Sequence, residues 1–282
     1  MTSIAIDHTI TLGDRTVRRL GFGAMRITGD GIWGPPKDHD ESVAVLRRAL
    51  ELGINLIDTA DSYGPDVSEN LIAEALYPYP DDLVIATKGG LVRPGPGQWD
   101  PDGRPEHLRQ ACEGSLRRLK VDRIYLYQFH RPDPSVPFEE SVGTLAQLRD
   151  EGKITHVGLS NVTVDELRRA QAIVPIASVQ NRYNVVERGD EDVLEACAAG
   201  GLAFIPWLPL NTRKVGKADA VTDVAQARNA TPAQVALAWL LAHSPALLPI
   251  PGTGSVAHLE ENVAAADLRL TDEEMQLLDT AR

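Results

Sequence analysis

Cysteine is scarce in this chain. Cys112 and Cys197 lie far apart inside helical patterns, which excludes a disulfide framework and points to a reduced compartment. Long apolar runs are also missing, since none approaches the roughly 18 residues that a membrane span needs. Basic charge is short: 28 Lys and Arg face 40 Asp and Glu, a net charge of −12. That balance argues against nucleic acid or an anionic membrane as partner. The opening MTSIAIDHTITLGD has no basic stretch followed by an apolar core, so no signal peptide is expected and the cytoplasm is the expected location. No linker, internal repeat or low-complexity tract divides the sequence, and one domain over residues 1–282 is expected.

What is present is regular alternation. Residues 8–19 read as two short strands joined by Gly13-Asp14, a hairpin signal. From Leu20 onward a strand-then-helix pattern recurs eight times at a spacing of about 30 residues. Its strands run through Leu20–Met25, NLIDTA, LVIATK, RIYLYQFH, ITHVGLSN, ASVQNRY, LAFIPWLPL and LLPIPG. Thr163 with Glu166 reads as a capping box, and Thr231-Pro232 as an N-cap followed by proline at the first helical position. Eight such units with no evident edge strand favour a closed (β/α)8 TIM barrel over an open doubly wound sheet. The hairpin would cover the bottom of this barrel. Residues 271–281 read as an extra C-terminal amphipathic helix.

In a closed barrel the C-terminal strand ends converge on one face, where active sites sit. The polar residues at those ends are Asp58, with Tyr63 in the following loop, then Lys88, His130, Ser160, Asn161 and Gln180. Any one of these has an ordinary structural explanation. A lysine that completes an apolar strand, however, is rarely buried without a charge partner, and Asp58 supplies one. The Lys88 ammonium is then expected to favour the Tyr63 phenolate and pull down a pKa that starts near 10. His130 can donate a hydrogen bond to the same substrate oxygen. These groups suit the addition of a proton to a carbonyl oxygen while hydride arrives at the carbon. No side chain supplies hydride, so a nicotinamide cofactor is implied, and no metal is called for.

The motifs LIDTADSYG, ATKGG, GLSNV, SVQNRYN and IPGTGSVAHLEENV, in this order and over nearly the whole chain, resemble the aldo-keto reductases. GPPKD and EALYPYPDDL are most similar to a bacterial branch that includes pyridoxal reductases. The resemblance implies a catalytic tetrad of Asp58, Tyr63, Lys88 and His130. It also implies that Ser160, Asn161 and Gln180 hold the nicotinamide carboxamide, that Trp207 stacks on the ring, and that the backbone at Gly23, Ala24 and Met25 lies nearby. Leu208, Pro209, Leu210, Asn211 and Thr212 would follow the cofactor after the seventh strand, where the basic cluster Arg213, Lys214 and Lys217 is a candidate for phosphate contact. The turn of Gly252, Thr253, Gly254 and Ser255 at a helix N-terminus is a candidate anion site, with Glu261 and Asn262 toward the adenine.

Gly252 and His258 stand where the family often has a lysine and an arginine around the 2′-phosphate of NADP. NADP(H) is therefore expected with NAD(H) not excluded, and Gly252→Lys is expected to tighten NADPH binding. Met25, Ile27, Trp33 and Trp99 are candidates for the substrate pocket. Longer relatives carry a C-terminal tail over that pocket, so an open site accepting several aldehydes or ketones, pyridoxal included, is implied. The expected partner is a small carbonyl compound, and the expected state a monomer or small homo-oligomer. Two rival functions stand beside this one: a lyase in which Lys88 forms a Schiff base, and a slow cofactor-sensing subunit.

Overall fold

The structure, a computed structural model, describes residues 9–281. His8, assigned to the hairpin, lies outside the described residues, as do the side chains of Thr212 and Arg213. The hairpin pairs β1 (Thr9–Leu12) antiparallel with β2 (Arg15–Arg18) across Gly13-Asp14. There follow β3 (Phe22–Gly23), α1 (His39–Glu51), β4 (Leu56–Asp58), α2 (Val67–Leu76) and β5 (Val84–Gly89). A loop carrying the short pair β6 (Leu91–Val92) and β7 (Asp100–Pro101) leads to α3 (Pro105–Leu119). The order continues with β8 (Ile124–Phe129), α4 (Phe138–Asp150), β9 (Ile154–Ser160), α5 (Val164–Gln171), β10 (Ile176–Gln180), α6 (Glu191–Gly200) and β11 (Ala203–Phe204). The chain ends in α7 (Thr212–Val215), α8 (Asp219–Arg228), α9 (Pro232–His243), α10 (Val256–Ala264) and α11 (Asp272–Leu278).

Seven strands form one parallel sheet in the order β11-β10-β9-β8-β5-β4-β3. The eighth expected strand, LLPIPG, is irregular, because Pro249 and Pro251 have no N–H to give to a ladder. Its backbone nevertheless joins the two sheet edges. Phe204 N donates to Ala246 O and Leu248 N to Phe204 O, both at 2.8 Å; on the other side Gly21 N donates to Pro249 O at 3.0 Å and Gly23 N to Pro251 O at 3.4 Å. The barrel is closed. The seam is tight: a Cβ on Gly252 would stand 2.4 Å from Gly23 O, and one on Gly23 would stand 2.6 Å from Ile250 O.

Strand periodicity fills the interior in layers. Leu56, Val84, Leu126, Ala203 and Leu248 make a buried apolar floor, on which Leu12 and Val17 of the hairpin pack from below. Two residues further along the same faces stand Asp58, Ala86 and Gln128, and then Lys88, His130, Ser160 and Gln180 near the top. The alternate residues Ile57 and Ile85 face outward into the helix layer with Leu46 and Ile72. The expected caps at Thr163, with Glu166, and at Thr231 are present, and the structure adds Gln234 as the partner of Thr231 and a further capping box of Thr271 with Glu274 at the extra C-terminal helix. The helix α8, inserted between the seventh strand and Thr231, was not expected from the sequence. Its Val221, Val224 and Ala225 pack into the main core.

Candidate active site

The register brings the strand-end residues together. Asp58 is paired with Ala86, and Lys88 with Gln128, across neighbouring parallel strands. Lys88 is fully buried and its Nζ donates to Asp58 Oδ1 at 2.5 Å, to Thr59 O at 2.8 Å and to the Tyr63 hydroxyl at 3.4 Å. The other carboxylate oxygen of Asp58 accepts from Gln128 Nε2 and Gln180 Nε2, each at 2.9 Å. Both oxygens of this buried anion are thus satisfied, which a buried ion pair requires if it is not to cost stability. Burial disfavours the Lys88 ammonium, but the Asp58 carboxylate beside it more than offsets this and holds its pKa above the ordinary lysine value.

Tyr63 departs from expectation. Burial raises the pKa of its phenol, the Lys88 charge opposes this, and burial wins, so the value lies above that of an ordinary tyrosine. At neutral pH the group is a protonated phenol and not a primed phenolate. His130 is buried with its ring 5.9 Å from that of Tyr63 at 79°, and Ser62 Oγ lies 3.4 Å from its Nδ1. Burial first, then the positive charges of Lys88, Arg131 and Arg93, hold its pKa well below the usual histidine range. The imidazole is therefore neutral, with one nitrogen free to carry a donor proton.

These groups open into a cavity of about 820 Å³. Asp58, Tyr63 and His130 line it together with Gly23, Met25, Ser160, Asn161, Gln180, Trp207, Leu208, Pro209, Leu210, Asn211, Gly252, Thr253 and Gly254, as expected of candidate binding residues. Asn161, at φ 59°, donates through Nδ2 to His130 O at 3.1 Å and to Ser160 Oγ at 3.0 Å, while its Oδ1 accepts from Trp207 Nε1 at 3.0 Å. One network thus fixes the amide and the indole side by side.

Several expected residues stand elsewhere. Ala24 is buried and offers its carbonyl to Ser68 Oγ. Ser255 stands at the N-cap position of α10, His258 is exposed on that helix, Asn262 is buried, and Glu261 accepts from Thr231 Oγ1 at 2.7 Å; none of the four lines the cavity. Of the candidate pocket residues, Met25 and Trp99 line the cavity, but Ile27 and Trp33 do not. After Gly23 the backbone turns into a 3-10 helix over Ala24–Ile27, which rotates Ile27 into the core with Phe22 and Leu46. Trp33 is bridged to Gly64 and faces the guanidinium of Arg93. Ile32, at φ 57°, and Leu91 take their places, and Arg26 and Arg131 also line the cavity. No periodicity in the sequence marks these four.

Two expectations at the phosphate end change. Lys214 is paired with Glu187 at 2.8 Å, and Asn211 donates to the same carboxylate. Burial works to raise the Glu187 pKa, but its hydrogen bonds from Lys214, Asn184 and Asn211 bring it to about 2. Gly252→Lys is not the simple gain of a cation, because its Cβ would meet Gly23 O at the barrel seam.

Comparison with known proteins agrees with this geometry. Residues 19–282 match the model of the aldo/keto reductase family. The chain is 53% identical over 272 residues to an uncharacterized oxidoreductase of Schizosaccharomyces pombe, covering 96% of this chain and 89% of that protein. It is 44% identical over 279 residues to pyridoxine 4-dehydrogenase of Escherichia coli, covering 96% and 97%. Among solved structures, an aldo-keto reductase from Klebsiella pneumoniae in complex with NADPH superposes with a TM-score of 0.81 at 28% identity, over 98% of this chain and 95% of that one. With a family match over nearly the whole sequence and two relatives this similar, the chain belongs to the aldo/keto reductase family.

Proposed function

We propose that the protein is an NADP(H)-dependent carbonyl reductase that converts an aldehyde or ketone, pyridoxal among the candidates, to its alcohol. The observation that carries this reading is the buried contact of Tyr63 with Lys88, itself paired with Asp58, at the edge of a cavity that also holds His130. The cavity's donor set fits a nicotinamide nucleotide. Ser160, Asn161 and Gln180 offer hydroxyl and amide groups for the carboxamide, and Trp207 offers a flat ring beside them. The small-residue turn at Gly252–Gly254 leads into the N-terminus of α10, which suits phosphate. Arg26, whose Cγ lies 3.7 Å from the Cβ position of Gly252, supplies a cation where the family's lysine is missing. The similarity to pyridoxine 4-dehydrogenase supports pyridoxal as a substrate, and the NADPH-bound relative supports the cofactor.

When bound, the nicotinamide supplies hydride to the carbonyl carbon. Tyr63 then has one task, to give its proton to the carbonyl oxygen. A phenol kept neutral by burial is in the right form for this. As the proton leaves, negative charge grows on the Tyr63 oxygen within reach of the Lys88 ammonium. That contact therefore strengthens toward the transition state, which is where an interaction accelerates a reaction. Asp58 keeps Lys88 protonated, and Gln128 and Gln180 hold the Asp58 side chain in place. Neutral His130 donates to the substrate oxygen and orients it toward the phenol.

The rival lyase needs a neutral Lys88 amine, and the Asp58 pair opposes that form. Borohydride trapping of a carbonyl compound on Lys88 is the outcome that would restore it. A cofactor-sensing role predicts tight cofactor retention with little turnover. The deciding experiment is a panel of aldehydes and ketones, pyridoxal included, assayed with NADPH and NADH in parallel. Pyridoxal turnover favouring NADPH is expected; absence of turnover across the panel would refute the reading.

A further inference from the structure

Arg93 belongs to none of the groups that perform the proposed reaction, yet it is among the most connected side chains near them. It lies in the loop between β5 and α3, whose tip, Pro94-Gly95-Pro96-Gly97, has little apolar surface with which to anchor itself. Its guanidinium holds the loop instead. Nε donates to Gln98 O at 2.7 Å within the loop. Nη2 donates to Gly31 O at 2.9 Å, and Nη1 to both Ile32 O and Ser62 O at 2.9 Å. Three separate loops, those after β3, β4 and β5, are thereby tied through one planar cation. The Ser62 so held is the residue next to Tyr63, and its hydroxyl faces His130.

The same guanidinium lies 3.5 Å from the ring centroid of Trp99, close enough for a cation–π stack. Trp99 lines the cavity and meets Tyr63 at 6.2 Å and 83°, and His130 at 6.4 Å and 66°. An indole thus stands against both groups that face the substrate oxygen, and Ile32, Leu91 and Met25 extend the apolar lining around it. A flat, rigid apolar wall beside the reacting centre favours a planar ring over a short flexible chain.

We infer that Arg93 is a positioning residue that holds Trp99 as one wall of the carbonyl site, and that this wall selects planar aromatic aldehydes over short aliphatic ones. The inference rests on the proposed carbonyl reduction and names its substrate class. Lysine cannot replace Arg93, because a point-charge ammonium has no planar fork to span carbonyls on three loops while stacking on an indole.

The test compares the full-length protein with Arg93→Lys, Arg93→Gln and Trp99→Leu, using benzaldehyde and propanal with NADPH. In all three variants KM for benzaldehyde should rise about tenfold, the scale of a lost apolar contact. The benzaldehyde-to-propanal ratio of kcat/KM should fall by the same factor while NADPH affinity holds, the pattern of lost substrate binding and not of lost cofactor binding. An unchanged benzaldehyde-to-propanal ratio in Arg93→Gln would overturn the inference. So would an equal loss on both aldehydes and on NADPH binding, which marks a merely structural role. Should the arginine variants fail to fold, Trp99→Leu decides alone, and retention of the aromatic preference there sinks the proposal. A wild-type protein that reduces pyridoxal but neither of these aldehydes would overturn this inference alone, whereas one that reduces none of the three would count against the proposed reaction as well.

Discussion

The two sides of the barrel mouth are built from different chemistry. Strands β4, β5 and β8 end in or lead to Asp58, Lys88 and His130, groups that carry or can carry charge. Strands β9 and β10 end in Ser160, Asn161 and Gln180, which are neutral hydrogen-bonding groups. On the first side each group conditions another, because a buried charge is tolerable only with its partner in place. On the second side the Asn161 amide donates to the Ser160 hydroxyl at 3.0 Å, and none of the three groups carries a charge to be neutralised. Gln180 joins the sides, since it lines the cavity and also donates to Asp58. In the proposed reaction the contrast becomes a division of labour: the charged side would move the proton, and the neutral side would hold the nicotinamide.

Substitutions can break this contrast, and the largest effect should come from Tyr63→Phe. Without its hydroxyl the charged side loses the proton donor, so kcat should fall on the order of 10²–10⁴-fold. NADPH affinity, which the proposal assigns to the neutral side, should be retained. Steady-state kinetics with a parallel binding titration checks both. Lys88→Met comes next. It leaves the Asp58 carboxylate buried without its cation, for a stability loss of about 3–5 kcal/mol measured by denaturant unfolding, along with impaired turnover. Gln180→Ala removes a hydrogen bond to a buried charge, for a loss of about 1.5–3 kcal/mol. Because Gln180 spans both sides, NADPH affinity should weaken in the same variant. A Gln180→Ala protein with normal cofactor affinity would separate the two sides more sharply than we hold.

The smallest effect concerns a second carboxylate in the same motif. Asp61 stands three residues after Asp58 and is also buried, but its Oδ1 has no hydrogen-bond partner among the described residues. Burial, and then the nearby Glu69 charge, raise its pKa well above the ordinary aspartate value of 3.8. The unfolded chain therefore releases this proton at lower pH than the folded one, so stability falls as pH rises from the ordinary carboxylate range toward the folded pKa. Asp61→Asn removes that dependence. Its melting temperature should match that of the wild type near pH 3, where the aspartate is largely protonated in both the folded and the unfolded chain, and exceed it by a few degrees at neutral pH.

The sequence and the structure agree where a period governs. Strand alternation places Asp58, Lys88, Gln128 and Gln180 on the inner face, and cap chemistry at Thr163 and Thr231 sets the helix starts. Agreement fails where the period ends. Beyond Gly23 a short 3-10 helix replaces the strand, so Ile27 turns inward and Ile32 takes the pocket position. Two prolines make the eighth strand irregular while backbone hydrogen bonds still close the ring. Arg93 is invisible in one dimension, because its partners at Gly31, Ile32 and Ser62 are brought to it by three different loops. The Tyr63 pKa is misjudged for a related reason: the sequence displays the neighbouring lysine charge but not the depth of burial that opposes it.

The account turns on a phenol that is neutral at working pH and gives up its proton only as charge builds on the substrate. The most direct measurement is a pH titration of the ¹³Cζ resonance of labelled tyrosine in the intact protein, with Tyr63→Phe assigning the signal. The account predicts a Tyr63 resonance that keeps its protonated position through neutral pH and past the point at which free tyrosine ionises, near 10. A phenolate resonance already present between about pH 7 and 8, where enzymes commonly tune an acid–base group, would contradict it.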